Sequence, residues 1–261
     1  MESTLTPEAA LASLAWQIEL GATEAIGDVP LNRYELSEKA TKTVARARAA
    51  SPEPAPPVTD PVVEAETAAR AAPTLAALRD ALAAFPHCAL QQGARNLVFA
   101  DGRPGARVMI LGEAPGREED IAGRPFVGRA GQLLDRMLAA IGLDRRAEDP
   151  ARAVYITNVL PWRPPQNRDP QPEEIAMMRP FVARHVALAA PDCLILTGNI
   201  SCEAGLNRRG ITRLRGQWTE AFGLPALPMF HPAYLLRNPA AKRETWADLL
   251  ALRARLSEIP E

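Results

Sequence analysis

The sequence predicts an α/β fold, a three-layer α/β/α sandwich built on a four-stranded central parallel sheet. Four short apolar runs recur between residues 107 and 230, and segments with a helical spacing of apolar residues lie between the first three. Buried parallel strands are apolar throughout, and strands that alternate with helices form a parallel sheet covered on both faces.

The chain before this pattern differs in composition. Residues 5–20 contain a Thr-Pro start followed by apolar side chains at helical spacing, which predicts a short helix in an N-terminal extension, residues 1–40. Residues 41–74 are rich in Ala, Pro, Glu and Thr and bury too little apolar surface to offset the entropy of ordering, so we interpret them as a linker. The globular domain is therefore predicted at residues 75–261.

Strands and helices alternate within that domain. The predicted strands are Arg107–Leu111, Ala153–Thr157, Cys193–Thr197 and Ala226–Phe230. The predicted helices are Gly131–Ile141, Pro172–Ala189 and Lys242–Leu256. Glu173 and Glu174 lie in the first turn of the second helix, where the helix dipole favours carboxylates.

Composition excludes several classes of protein. No stretch approaches the roughly 20 consecutive apolar residues of a membrane helix, and the N-terminus lacks the basic start of a secretory signal, so we expect a cytoplasmic protein without a membrane segment. The three cysteines, Cys88, Cys193 and Cys202, are too few and too scattered for a disulfide framework or a four-cysteine metal site.

The net charge of -1 conceals a division of the chain. Residues 1–75 carry 6 basic and 11 acidic side chains, which leaves the remaining chain net positive. Residues 205–245 hold seven basic side chains against two acidic ones. Proteins bind nucleic acids by neutralising phosphates, so this basic part of the chain is compatible with a nucleic-acid partner.

Polar residues follow the end of each predicted strand. The turn 112–116 (Gly-Glu-Ala-Pro-Gly) follows the first strand, Asn158 the second, Gly198 the third and His231 the fourth. The carboxyl ends of parallel strands open onto one crevice, where ligands bind in open α/β sheets. We therefore expect these four positions to converge.

Several of these positions also have an ordinary structural interpretation. The amides of the 112–116 turn can bind an electronegative oxygen, although a Gly/Pro turn is often only a turn. Asn158 offers a donor and an acceptor to the edge of a pyrimidine, but asparagine also caps strand ends. Phe126, in a Gly/Pro loop, is either a stacking surface for a base or a plug of the core. The acidic run Glu118–Asp120 is interpreted as an exposed helix start.

His231 is the histidine best placed for chemistry, because Pro232 fixes it just beyond the fourth strand. An imidazole there can donate a hydrogen bond to charge that develops on a leaving group. Glu113 is the nearest carboxylate to orient a water. Together with a stacking ring and a selective amide, these residues suit hydrolysis of a bond to a planar, oxygen-bearing base.

Three segments make the sequence recognisable: GEAPGREEDIAGRPFVGRAGQLLDRML (112–138), YITNVLPWRPPQNRDP (155–170) and FHPAYLLRNPAAKRETW (230–246). They resemble the uracil-DNA glycosylase superfamily, specifically its family 4 type, over residues 75–256. The resemblance implies a uracil-DNA glycosylase-like fold and a monomeric, monofunctional enzyme of base excision repair. Such an enzyme flips uracil out of DNA, hydrolyses its N-glycosidic bond and leaves an abasic site.

The resemblance also implies roles for single residues. The implied catalytic residues are Glu113, which positions water, Asn158, and His231, which stabilises the uracil O2. The residues implied to contact uracil are Gly112, Ala114, Pro115, Gly116, Phe126, Asn158 and His231. Base extrusion needs a wedge, for which the candidates are Tyr234, Leu235 and Leu236. Arg237, Lys242 and Arg243 are expected to bind the phosphates of uracil-containing DNA.

The sequence departs from the family at its iron–sulfur cluster. Family 4 enzymes usually hold a cluster on four cysteines, and the matching positions here are Phe85, Cys88, Trp162 and Met178. One thiolate cannot hold a cluster that needs four ligands. We therefore expect no iron–sulfur cluster, no metal and no other cofactor, with large apolar side chains packed where the cluster would lie.

An alternative from another class is a DNA-binding or uracil-sequestering module with little or no turnover. X-type relatives that trap uracil covalently carry a Lys-Arg-Arg-Ile-His insertion after the second strand, where this chain has PWRPPQNRDP. A decayed scaffold or an interaction protein is the least favoured alternative, because the turn, Asn158 and His231 are all retained. No lysine is expected in the pocket, so no lyase step is implied.

Overall fold

The computed structural model describes residues 6–19 and 60–258. The chain divides into two units, residues 1–58 and residues 59–261. In the first unit, helix α1 spans Pro7–Glu19 inside the predicted helical segment, and Leu11 and Trp16 are exposed on it. The rest of the predicted extension, and the predicted linker up to residue 59, lie outside the described residues.

The helices and strands of the second unit lie between residues 61 and 258. The helices are α2 (Pro61–Ala71), α3 (Leu75–Ala84), α4 (Leu90–Gly93), α5 (Arg117–Ala122), α6 (Arg129–Ala139), α7 (Pro172–Ala189), α8 (Asn199–Leu206), α9 (Ile211–Leu214), α10 (Pro232–Arg237) and α11 (Lys242–Glu258). The strands are β1 (Asp101–Gly102), β2 (Val108–Gly112), β3 (Val154–Asn158), β4 (Cys193–Thr197), β5 (Thr219–Ala221) and β6 (Leu224–Met229). None of the described helices has the length and apolar character needed to cross a membrane.

Helix α2 corrects part of the predicted linker. Asp60 caps its first turn by accepting a hydrogen bond from Val62 N at 2.9 Å, and Pro61 suits the first helical position. Ala65 and Ala69 are buried on α2, which packs against α7. The linker interpretation is therefore wrong for residues 61–71. Small alanines permit a close helix contact without the large apolar stripe by which a buried helix is recognised in a sequence.

The sheet has six strands within the described residues, in the order β1-β3-β2-β4-β6-β5. The inner four are parallel, which confirms the predicted parallel core, and helices flank the sheet. The edge strands β1 and β5 pair antiparallel and were not predicted. They have two and three residues and are too short to show a strand pattern in the sequence.

Alternate residues of the inner strands face two different apolar layers. Met109 packs in one buried cluster and Ile110 in the other, as the alternation of side chains along a strand requires. The register pairs Gly112 with Asn158, so β2 and β3 end at the same level. The residues that follow these strands therefore meet at one edge of the sheet.

Candidate active site

A cleft of about 440 Å³ lies at the carboxyl edge of the parallel strands. The residues predicted from the sequence that line it are Glu113, Ala114, Pro115, Gly116, Phe126, Asn158, His231 and Arg237. The ends of β2, β3 and β6 thus supply residues to one crevice, as parallel topology predicts, whereas Gly198 after β4 is not among the described residues that line it.

Gly112 ends β2 where three of the predicted residues meet. A Cβ atom on Gly112 would lie 2.2 Å from Asn158 Oδ1 and 2.5 Å from the ring of Phe126. A Cβ fits there only if Asn158 or Phe126 moves, so glycine allows the amide and the ring to share the cleft in these positions. Asn158 is itself only 6% exposed, which holds its amide in a restricted setting at the end of β3.

Phe126 belongs both to the cleft and to the core. Its ring lies 5.4 Å from the imidazole of His231 with an interplanar angle of 29°. The residue is buried in the apolar layer that contains Leu134 and Ile110, and it also lines the cleft. The two interpretations of Phe126 are therefore compatible, because a ring plugged into the core has a fixed position for stacking.

His231 is held in one tautomer by the helix that follows it. It precedes α10, and its Nδ1 accepts a hydrogen bond from Ala233 N at 3.1 Å. Nδ1 therefore carries no proton, and the neutral ring has its proton on Nε2. Burial, together with the charge of Arg237, lowers the pKa of His231 to about 4, although the charge of Glu119 opposes the shift. The imidazole is neutral at pH 7 and donates through Nε2.

Glu113 is half-buried at the start of the turn that follows β2. Burial raises the pKa of its carboxyl group, and the charge of Asp169 raises it further, whereas Arg209 and Arg237 oppose the shift. A carboxylate with a raised pKa is a stronger base in its ionised form. Glu113 is therefore suited to orienting a water and accepting its proton.

The three wedge candidates differ in exposure. Leu235 is fully buried in a small apolar cluster with Leu133 and Phe230, so it cannot insert into a duplex from this position. Tyr234 and Leu236 are partly exposed at the edge of the same cluster. Of the candidates predicted from the sequence, these two remain.

The three residues predicted to bind phosphate lie in different places. Arg237 lines the cleft, whereas Lys242 and Arg243 are exposed at the start of α11. Lys242 borders a second groove, of about 310 Å³, that is lined mainly by apolar side chains. The structure therefore brings one of the three to the cleft, and phosphate binding by the other two stays a prediction.

The four positions that match the cluster ligands lie in one apolar cluster. Phe85, Cys88, Trp162 and Met178 are each at most 3% exposed, and the rings of Phe85 and Phe181 meet edge to face at 5.2 Å. Burial raises the pKa of the Cys88 thiol, which disfavours the thiolate that iron binds. In the described parts of the chain, no group of three or more His, Cys, Asp or Glu side chains could hold a metal ion. These residues do not fit a four-thiolate cluster.

Glu119 lines the cleft and was missed as a site residue. The sequence placed it in an exposed acidic run, but its carboxylate accepts hydrogen bonds from the amides of Gly116, Val127 and Gly128. The N–H of Gly116 is thus used by Glu119, so it is not the group that Gly116 offers to a base. The available signal was the position of Glu119 three residues after Gly116, the spacing of a carboxylate that caps a helix start.

The loop after β3 supplies further lining residues that the sequence did not indicate: Asn167, Arg168 and Asp169. Arg168 donates to Glu174 from both terminal nitrogens, at 2.9 and 2.6 Å. A paired contact of this kind fixes orientation as well as distance, so it holds the loop against the start of α7.

Comparison with known proteins identifies a family and several relatives that this chain resembles. Residues 99–250, which include every residue lining the cleft, match the model of the Uracil DNA glycosylase superfamily. A type-4 uracil-DNA glycosylase of Thermotoga maritima is 40% identical over 154 residues, 58% of this chain and 77% of the relative. The type-4 enzyme of Archaeoglobus fulgidus is 38% identical over 170 residues, 62% of this chain and 82% of the relative. That of Sulfurisphaera tokodaii is 35% identical over 190 residues, 69% of this chain and 84% of the relative.

Proposed function

The chain belongs to the uracil-DNA glycosylase superfamily, and on this premise we propose that it is a monofunctional uracil-DNA glycosylase. It extrudes uracil from DNA and hydrolyses the N-glycosidic bond, leaving an abasic site. The fixed neutral tautomer of His231 carries this proposal. A neutral imidazole that donates from Nε2 is the group needed beside the oxygen of a leaving uracil anion.

Recognition of uracil depends on the residues around Gly112. Phe126 offers a ring face on which the base stacks, and Asn158 offers an acceptor and a donor at one edge. Uracil presents a donor at N3 and an acceptor at O4, whereas cytosine presents an acceptor and a donor at the same places. An amide held in one orientation therefore pairs with uracil and not with cytosine. The close approach of Asn158 Oδ1 and Phe126 to Gly112 fixes the positions of the amide and the ring relative to each other.

Breaking the bond moves an electron pair from the C1′–N1 bond onto the base. The charge spreads to O2, where the Nε2–H of His231 donates a hydrogen bond to it. Arg237, which lines the same cleft, adds a positive charge near the developing anion and near the DNA backbone. The uracil anion takes up a proton when it leaves the cleft.

Water completes the reaction at the sugar. Its oxygen bonds to C1′, and its proton passes to the carboxylate of Glu113 and then to solvent. The raised pKa of Glu113 makes its carboxylate a better proton acceptor than an exposed glutamate. No lysine is among the described residues that line the cleft. A lyase step needs an amine nucleophile, so hydrolysis is the expected end of the reaction.

We further propose that this enzyme works without an iron–sulfur cluster. The close packing of Phe85, Trp162 and Met178 around Cys88 supports this proposal, because the space that a cluster needs is filled by side chains. Iron and sulfide analysis of protein expressed with ample iron and sulfide tests it, with a four-cysteine family 4 protein as the positive control. Stoichiometric iron in this protein would contradict it.

The activity is tested with oligonucleotides that carry one uracil, in single strands and in duplexes. We expect strand cleavage at the uracil after alkali treatment and intact strands without it. Glu113→Gln should slow the reaction, while Glu220→Gln, at an exposed position on β5, serves as the matched control. An inert wild-type protein contradicts the proposed function, and a covalent protein–DNA band on a denaturing gel indicates uracil sequestration instead. Size-exclusion chromatography checks the expected monomer.

A further inference from the structure

We propose that Glu119 and Arg145 are positioning residues that hold Phe126 where it stacks on the extruded base. Their side chains bind the backbone on either side of Phe126, and we call them, with residues 125–128, the loop clamp. The consequence for catalysis rests on the proposed function. The clamp itself has a readout that does not depend on activity.

Phe126 needs support because of its backbone conformation. Its φ of 52° lies in the left-handed region, which residues with a side chain seldom adopt unless their surroundings hold them there. The loop is also pressed against α6, since a Cβ atom on Gly131 would lie 1.8 Å from the carbonyl oxygen of Phe126. The ring therefore depends on how the neighbouring peptide groups are held.

Glu119 holds the C-terminal side of Phe126. Its Oε1 accepts hydrogen bonds from Val127 N at 3.0 Å and Gly128 N at 2.9 Å, and its Oε2 accepts one from Gly116 N at 3.1 Å. Bonds to an ionised acceptor are stronger than those between neutral groups. Because Gly116 belongs to the turn after β2, Glu119 also sets the spacing between that turn and the stacking ring.

Arg145 holds the N-terminal side. Its Nη1 donates to Pro125 O at 3.0 Å, and its side chain is 7% exposed. Two carboxylates bind the same guanidinium, Asp101 at 3.1 Å and Asp135 at 2.7 Å. Arg145 is thus held in place by β1 and α6. Its hydrogen bond to Pro125 O fixes the loop relative to these two elements.

The clamp acts through Phe126, and the charge of Glu119 affects the bond that breaks only by opposing the fall in the pKa of His231, which is neutral at pH 7 in either case. The carboxylate oxygens of Glu119 are engaged by three amides, and Arg145 is not among the residues that line the cleft. Substitutions that act through a shared contact are not additive with the loss of that contact. Replacing Glu119 should therefore matter much less once the ring of Phe126 has been removed.

The first test is amide hydrogen exchange of the peptide that covers residues 123–131. Glu119→Gln replaces one carboxylate oxygen by an NH₂ group, which cannot accept a hydrogen bond from a backbone amide. Exchange in this peptide should therefore accelerate. The variant should still unfold with a measurable melting temperature, which shows that it is folded. Arg145→Lys keeps the charge but loses the planar set of donors, and it should have the same effect. Exposed positions outside the loop provide matched controls, Glu148→Gln and Arg146→Lys. Unchanged exchange in both clamp variants would overturn the clamp.

The second test is a double-mutant cycle on the uracil oligonucleotide. Loss of one base–aromatic stack corresponds to a fall in kcat/KM of the order of tenfold, and we expect Glu119→Gln to approach this with a parallel weakening of inhibition by free uracil. In the Phe126→Ala background, Glu119→Gln should change kcat/KM by less than about twofold. Full multiplication of the two losses, or unchanged inhibition by uracil, would overturn the role in stacking. An inert wild type would reject the proposed function, and hydrogen exchange would still decide the clamp.

Discussion

Replacing His231 by asparagine separates the two tasks that this side chain performs. In the native protein, Nδ1 accepts a hydrogen bond from Ala233 N and so caps α10, while the proton on Nε2 is the proposed donor to uracil. Asparagine places its Oδ1 close to the position of Nδ1 and is itself a preferred cap residue. Its amide is too short to reach the position of Nε2. His231→Asn should therefore keep the helix cap and lose the donor, and His231→Ala should lose both.

The two losses have different magnitudes. Removing one preorganised donor to a developing anion lowers kcat by about 10²–10³, which corresponds to about 3–4 kcal/mol of transition-state stabilisation. Losing a cap lowers the free energy of unfolding by about 0.5–2 kcal/mol. We expect His231→Asn and His231→Ala to be similarly slow. We expect only His231→Ala to melt at a clearly lower temperature.

Single-turnover cleavage of a labelled uracil oligonucleotide measures the first effect, and thermal unfolding followed by circular dichroism measures the second. His87→Asn is the matched control, because His87 contacts Glu64 outside the cleft. In the native enzyme, His231 should cause no change in kcat/KM well above pH 4, since its neutral form is the donor. A His231→Asn enzyme with a rate within about twofold of the native rate would refute this account of the leaving group.

Three further substitutions test other parts of the site. Gly112→Ala places a methyl group against the ring of Phe126 and should abolish most uracil cleavage in the oligonucleotide assay; native-like activity would contradict the close approach. Asp169→Asn removes a charge that raises the pKa of Glu113, so the acid limb of the pH profile of kcat/KM should move to lower pH, and a shift to higher pH would contradict it. Trp162→Ala leaves a cavity in a buried apolar cluster and should lower the free energy of unfolding by about 3–5 kcal/mol in denaturant titrations. A loss under about 1 kcal/mol would show that Trp162 is loosely packed among its apolar neighbours.

Part of the fold was readable from the sequence because its signals are local. Buried parallel strands are continuous apolar runs, and the observed bounds of β4 and α7 coincide with the predicted ones. The polar residues at the ends of β2, β3 and β6 could be assigned to one crevice because the carboxyl ends of parallel strands lie at the same edge of the sheet. Helix α2 could not be read in this way, since alanines at a close helix contact look the same as alanines in a linker.

The sequence predicted the residues proposed to act on the substrate, but not the residues that hold them in place. Glu113, Asn158 and His231 follow strand ends, so their positions along the chain indicate their position in space. Glu119 and Arg145 act by hydrogen bonds to backbone groups elsewhere in the chain. Every residue type has a backbone carbonyl group, and all but proline have an N–H, so such bonds cannot be inferred from the types of the residues involved. Burial of Leu235 depends likewise on helices that meet only in the folded chain.

By itself, the sequence determined the parallel core, the crevice at the strand ends and the residue types at the four positions that match the cluster ligands, because each depends on residue type and order along the chain. Tertiary structure alone decided the tautomer of His231, the raised pKa of Glu113 and the backbone strain at Phe126. These properties arise from distances and burial between segments that are remote in sequence. A proton position or a pKa is set by the groups within a few ångströms, and folding decides which groups those are.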